Sequence, residues 1–295
     1  MSQCSNWLSV FFNFGIFFCK FSYEKLCDYI FELFPVAMQI LDNPLESNQS
    51  IGLKCLNKLL KTPCDKDLDK NCCNILNENG YMELIFDRMK ILLHNTDMNY
   101  YYYFILIENF HLLLSYQQQQ NYHRFGNQMK DLSSIHQLYR NQDEIYRIMI
   151  DNLSHKDNVE FLQNNLNALM TYIFPLMHCN LLKHGKITMK TINLLLDRIL
   201  IFTPITLSLL IMEFICNFIQ RIDGCLCFHD VQSMAVRLAK IYIKFSSENS
   251  SNDNEQKQID RQIIQIFNLL ENSSSCNEKN VKFLYQFRSR LKILN

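Results

Sequence analysis

Apolar residues recur at intervals of three and four along most of the chain. Leu53, Leu56 and Leu60 fall at i, i+3 and i+7, and Ile85, Met89 and Leu92 follow the same rhythm. Tyr103, Ile107, Phe110 and Leu114 continue it, then Ile145, Ile148, Met149 and Leu153. This is one face of a helix with 3.6 residues per turn. Leu162, Leu166, Leu169, Met170 and Ile173 predict a long helix, with Asn165 one residue off its apolar row. Ile192, Leu195, Leu196 and Ile199 predict another. The stretch 207–218 is apolar nearly all round, as expected of a helix packed on both sides. Val231, Met234, Leu238 and Ile241, then Ile263, Ile266, Phe267 and Leu270, then Leu284, Phe287 and Leu291, complete the series. No segment sustains a period of two, so no strand is predicted.

The breaks between these rows carry as much information as the rows. "FPVAMQILDNPLESNQSIGLKCLNKLL" (34–60) holds two apolar rows around a polar break. Pro35 suits the first turn of a helix, where its missing N–H is no loss. "DNP" then ends that helix, because the residue before proline avoids the α region. The next helix begins almost at once and reverses over the first. The polar tracts 117–128 ("QQQQNYHRFGNQ") and 246–258 ("SSENSSNDNEQKQ") are predicted loops or insertions. Helix pairs of roughly forty residues, each burying the next one's apolar row, predict an all-α, HEAT-like α-solenoid of stacked antiparallel pairs. The whole of 1–295 is expected to form a single elongated helical-repeat domain.

Composition supports helices and removes several function classes. Gly (6) and Pro (5) are scarce among 295 residues, whereas tight hairpins and nucleotide-binding loops need them at many turns. Lys+Arg and Asp+Glu both number 29; a nucleic-acid binder carries an excess of basic residues. Nucleic acid and membrane are therefore not expected partners. The run "WLSVFFNFGIFFC" (7–19) is shorter than the ~20 residues a bilayer span needs. It predicts an apolar first helix, and Phe11, Phe12, Phe14, Phe17 and Phe18 offer a surface for another chain to cover.

Chemistry-bearing motifs are sparse. The twelve cysteines include the adjacent Cys72 and Cys73 and several on apolar helical rows, so they read as small buried hydrophobes in a reducing compartment. Cys225, Cys227 and His229 in "CLCFH" are the best metal candidates. Zinc wants four ligands, commonly in C-x2-C pairs, and no second pair accompanies them. There is no G-x-S-x-G, P-loop or G-x-G-x-x-G. Asp65, Asp67 and Asp69 lack the glycine and distal glutamate of a calcium loop. Of "YYYY" (100–103), Tyr103 falls on a core row, which leaves the others as candidates for an exposed anchor. No catalytic residue, cofactor or metal site is assigned; a helical metal protein or enzyme using Cys225, Cys227 and His229 is the alternative.

Three blocks carry a resemblance: 34–60, "ENGYMELIFDRMKILLHN" (78–95) and "DEIYRIMIDNLSHKDNVEFLQNNLNALMTYIFPLMHCNLLKHGKITMKTINLLLDRIL" (143–200). Their order of a proline-led helix, an acidic turn, a glycine-leucine helix and a glycine-started helix resembles the TEL-two-interacting protein two family. So does the later long helix followed by a T-x-x-x-I-N-like helix. The likeness covers roughly 35–245, with "RIDGCLCFHD" (221–230) where the family has a Trp-Pro-Arg-like element. The resemblance implies a non-catalytic scaffold subunit of the Tel-two co-chaperone assembly. Its partners would be larger helical-repeat subunits and, indirectly, Hsp90 and phosphatidylinositol-3-kinase-like kinases whose maturation it supports. Cytoplasmic and nuclear localisation follows from the same resemblance. A helical-repeat trafficking or transport adaptor is the alternative within the same fold.

Overall fold

The computed structural model describes Phe18, Leu26 and residues 28–61, 72–94, 100–125, 132–177, 180–201, 203–222, 225–247, 253–273 and 278–291. Among these residues the protein is all-α, without a strand. The chain divides into two compact units, 1–145 and 146–295.

In the first unit, α1 (Ile30–Leu41) and α2 (Glu46–Lys61) are joined by a tight turn in which Asn43 accepts from the Leu45 N–H. Pro35 does not open α1, as the sequence reading expects, but sits six residues in. It lies on the exposed face, so the N–H it lacks is lost on the solvent side rather than in the core. Gly52 allows the two helices to meet: a Cβ there would stand 2.7 Å from the Leu41 backbone N. Next come α3 (Cys72–Glu78), α4 (Tyr81–Leu93), α5 (Tyr100–Phe125) and α6 (Leu132–His155). Residues 117–125, expected as a loop, are the last turns of α5; glutamine is a good helix former, and its polarity alone misleads.

Contacts between non-consecutive helices set the first unit's order. Phe34 meets Tyr81, with ring centroids 4.8 Å apart, and Asp42 pairs with Arg88, so α4 runs parallel to α1. On the other side, Tyr102 donates to Gln49 and Asn57 to Glu108, so α5 runs parallel to α2. Asn109, fully buried, donates to the Leu53 carbonyl at 3.0 Å.

The second unit takes up the chain within α6. It contains α7 (Val159–Ala168), a π-helical segment (Leu169–Ile173), and the short α8 (Phe174–Met177) and α9 (Asn180–Lys183). Asn158 caps α7 by accepting from the Phe161 N–H. The widened turn precedes Pro175, which has no N–H and whose ring would crowd the carbonyl four residues back. Then follow α10 (Gly185–Ile201), α11 (Ile205–Ile222), α12 (Phe228–Ser247), α13 (Asp253–Ser273) and α14 (Glu278–Leu291). Residues 246–247 and 253–258 of the second expected loop are thus helical. α11 is long and apolar enough to cross a membrane, but more than half of it is buried among its neighbours, including Phe214, Ile215 and Phe218.

Alternate helices run side by side here too. Asn193 meets Ser233 and Asp197 meets Arg237, in each case 40 residues on, so α12 runs parallel to α10. Gln163 meets Thr206 and Phe174 meets Arg221, so α11 runs parallel to the α7–α8 segment.

Candidate protein-interaction surface

Among the described residues, those singled out for chemistry are not gathered into a site. Cys225, Cys227 and His229 are all exposed, on the turn into α12 and its first residues. The Cys227 thiol donates to the Asp230 carboxylate at 3.0 Å. Among the described residues no group of three His, Cys, Asp or Glu side chains could hold a metal ion. Cys55, Cys73 and Cys216 are buried, as small hydrophobes would be. Burial, with help from the Glu213 charge, pushes the Cys216 thiol up to about 12 and makes it inert as a nucleophile. Asp65, Asp67 and Asp69 lie outside the described residues.

The tyrosine run divides as its helical position dictates. Tyr102 and Tyr103 are buried, and burial raises both phenols. Tyr101 is exposed, with the Lys54 ammonium 4.8 Å from its ring centroid. Phe18, expected to be covered by another chain, is 1% exposed, and its carbonyl accepts from Lys58 at 2.9 Å. The other four phenylalanines of the run lie outside the described residues.

A recurring arrangement finishes the helix ends. Arg198, in the last turn of α10, donates to the carbonyls of Leu153, Ser154 and Lys156 at 2.8–2.9 Å, closing the C-terminus of α6. Lys244, in the last turn of α12, donates to the Ile199 and Leu200 carbonyls of α10 at 3.2 and 3.3 Å. Arg221, in the last turn of α11, reaches the Phe174 carbonyl at 3.5 Å. The last four carbonyls of a helix have no intrahelical donor, and the dipole there favours a cation. These bases satisfy both needs from a helix that arrives more than 40 residues later.

Between the caps, polar seams fix the register. The buried Tyr146 hydroxyl lies 2.7 Å from Thr188 Oγ1, and Ser154 Oγ lies 3.0 Å from Thr191 Oγ1. Asn165, expected off the core row, is fully buried and donates to the Met149 carbonyl at 2.8 Å. Lys90 bridges Asp87 and Glu144. Partial burial lowers its pKa, but the two carboxylates outweigh this and hold it above the ordinary value.

Beside these joints, outward rows hold apolar side chains. On α10 the exposed row includes Ile187, Leu194 and Ile201, the last 81% exposed. On α12 it includes Val236 and Ile243, and on α14 Tyr285, 75% exposed. In the first unit, Leu84 and Ile91 are exposed along α4 and Phe31 on α1. No sequence signal separates these from core residues, because they recur at seven residues, an interval that the core rows also contain. No protein-family model, curated protein or solved structure matches the chain.

Proposed function

We propose that the protein is a non-catalytic scaffold or adaptor subunit, built as a HEAT-like solenoid of antiparallel helix pairs, that binds larger helical-repeat proteins. The observation that carries this reading is the recurrent joint between alternate helices. Partners 40–47 residues apart are tied by a capping base, an ion pair or an amide, and rows of apolar side chains are left facing outward. Exposed apolar rows of this extent are a feature of binding surfaces, and stacked helix pairs present them over a long surface. The resemblance of residues 34–60, 78–95 and 143–200 to the TEL-two-interacting protein two family supplies the specific version. There the chain supports maturation of phosphatidylinositol-3-kinase-like kinases with Hsp90, in cytoplasm and nucleus.

The test is purification of the tagged full chain from cells, with mass measurement of the eluted complex. The expected result is a stoichiometric complex with a larger helical-repeat protein. Depletion of that partner should lower this protein's cellular level, since a ligand bound only to the folded state stabilises it. A monomer with the same lifetime whether or not other proteins bind it would refute the scaffold reading. A complex that lacks kinases and chaperones but contains transport proteins would move the assignment to a trafficking adaptor.

A further inference from the structure

α10 and α12 lie parallel, joined along one edge by Asn193–Ser233 and by the bidentate Asp197–Arg237 pair at 2.8 and 3.1 Å. At about 100° per residue, Leu194 and Ile201 point outward from α10, beside this joint. Val236 and Ile243 do the same from α12. The common offset of 40 residues sets Leu194 near the level of Val236, and Ile201 near that of Ile243. Two apolar rows therefore border a groove whose floor is an ion pair and an amide–hydroxyl contact.

Apart from the Asp197–Arg237 pair in its floor, the exposed charge beside this groove on α10 and α12 has one sign. Lys186 and Lys190 are exposed on the side of the α10 row that leans toward α12. Lys240 is exposed on the side of the α12 row that leans toward α10. Among the described exposed positions of α10 and α12 there is no Asp or Glu; Asp197 is paired to Arg237, and Asp230 accepts from Cys227. The outward positions of α11 and α13 are different: Thr206, Glu213 and Gln220 on one, Gln258, Arg261 and Gln265 on the other. The apolar rows and the uncompensated lysines thus share one face.

We propose that this groove receives an acidic amphipathic helix of a partner protein, an inference that rests on the scaffold reading and specifies its binding chemistry. Ile187 to Ile201 spans about 21 Å at 1.5 Å per residue, which matches a partner helix of about four turns. The partner's carboxylates would enter between the Leu194–Ile201 and Val236–Ile243 rows toward Lys186, Lys190 and Lys240, and apolar side chains flanking them would lie on the two rows. Helix-in-groove recognition uses this i, i+3, i+4, i+7 anchoring. Complementary charge sets the orientation and speeds the encounter.

The test uses the full chain and a fluorescein-labelled synthetic peptide of about five turns, with a central row of glutamate and leucine on both its flanks. Fluorescence anisotropy should show saturable binding that weakens as salt rises. The Lys190→Glu/Lys240→Glu double variant should weaken it by about tenfold or more, and Ile201→Ser, fully outward and without a fold contribution, by about tenfold. A Gln220→Glu/Gln265→Glu variant on the opposite helices should bind as wild type does. A lysine-for-glutamate peptide and a scrambled peptide of the same composition should not bind. Vesicles of phosphatidylserine in phosphatidylcholine form the last arm. Absence of peptide binding, equal binding of the scrambled peptide, or binding to vesicles alone would each overturn the proposal. Co-purification of a partner by the same variants at wild-type yield would do so too, while leaving the scaffold reading intact.

Discussion

Asn165 and Leu166 are neighbours in sequence, and neither reaches solvent. The apolar row finds Leu166, because Leu162, Leu169 and Ile173 repeat its spacing. It misses Asn165, whose row (Phe161, Asn165, Ala168) is buried as well. An asparagine among "LQNNLNAL" looks solvated until a helix from elsewhere brings a carbonyl to its amide. Leu166→Asp should abolish folding or nearly so, since an unpaired carboxylate in the core costs several kcal/mol. Asn165→Ala should lower stability by about 1–3 kcal/mol through the lost buried hydrogen bond. A wild-type urea midpoint for Asn165→Ala would show that the amide does not hold Met149. Cys216 gives a pH signature of defined sign. Its thiol is held up to about 12 in the folded protein, against about 8.5 in an unfolded chain. Its contribution is therefore complete below the unfolded value and is lost as pH rises through the window between the two. The urea midpoint should fall more steeply with rising alkalinity in wild type than in Cys216→Ala. In native protein at neutral pH, alkylation mapped by mass spectrometry should mark Cys225 and Cys227 and spare Cys55, Cys73 and Cys216. Reaction at Cys216 as fast as at Cys225 would contradict its burial.

Helices are where sequence periodicity was most informative, and their ends where it was least. The rows through Leu56, Ile85, Phe110 and Leu238 all meet the core. Pro35 and the glutamine run read as boundaries, yet both are helical, because a proline on the solvent face and a polar run on a long helix cost less than they suggest. Gly52 is the clearest case of an element-level demand hidden in one residue. Alanine is a better helix former by about 1 kcal/mol, but its Cβ would press on the Leu41 backbone at 2.7 Å. Gly52→Ala should therefore destabilise the protein by about 1–3 kcal/mol, the usual cost of overpacking. A higher melting temperature for Gly52→Ala would show that α1 and α2 separate freely. Arg198 makes the same point for helix ends. Arg198→Met keeps much of the aliphatic stem but strips three donors from the α6 carbonyls. The side chain is 24% exposed, so water replaces part of the loss, and about 1 kcal/mol is expected. Lys240→Met, with no carbonyl to serve, is the matched control for chemical denaturation.

At the scale of the whole molecule, far-UV circular dichroism should show helix with negligible strand. Strand content near the globular base rate of about a fifth would refute the fold. That the described residues are all-α was legible from scarce Gly and Pro and from the absence of any period of two. Its division into two compact units was not, because the apolar rows run through the boundary at Ile145 and Tyr146 without a change in spacing. The candidate groove was legible only in its parts. Ile201 and Leu195 look alike in sequence, and only the placement of neighbouring helices exposes one and buries the other. The capping bases carry a consequence for synthesis. The carbonyls of Leu153 and Ile199 each take a donor 45 residues further along the chain. A ribosome adding ~5–20 residues per second delivers that donor about 2 to 9 seconds after the helix it completes. During that interval the nascent helix end is open, and chaperones that bind emerging chains have their longest access to it. Slowing translation just before Arg198 or Lys244 would prolong that access without altering a single contact of the finished protein.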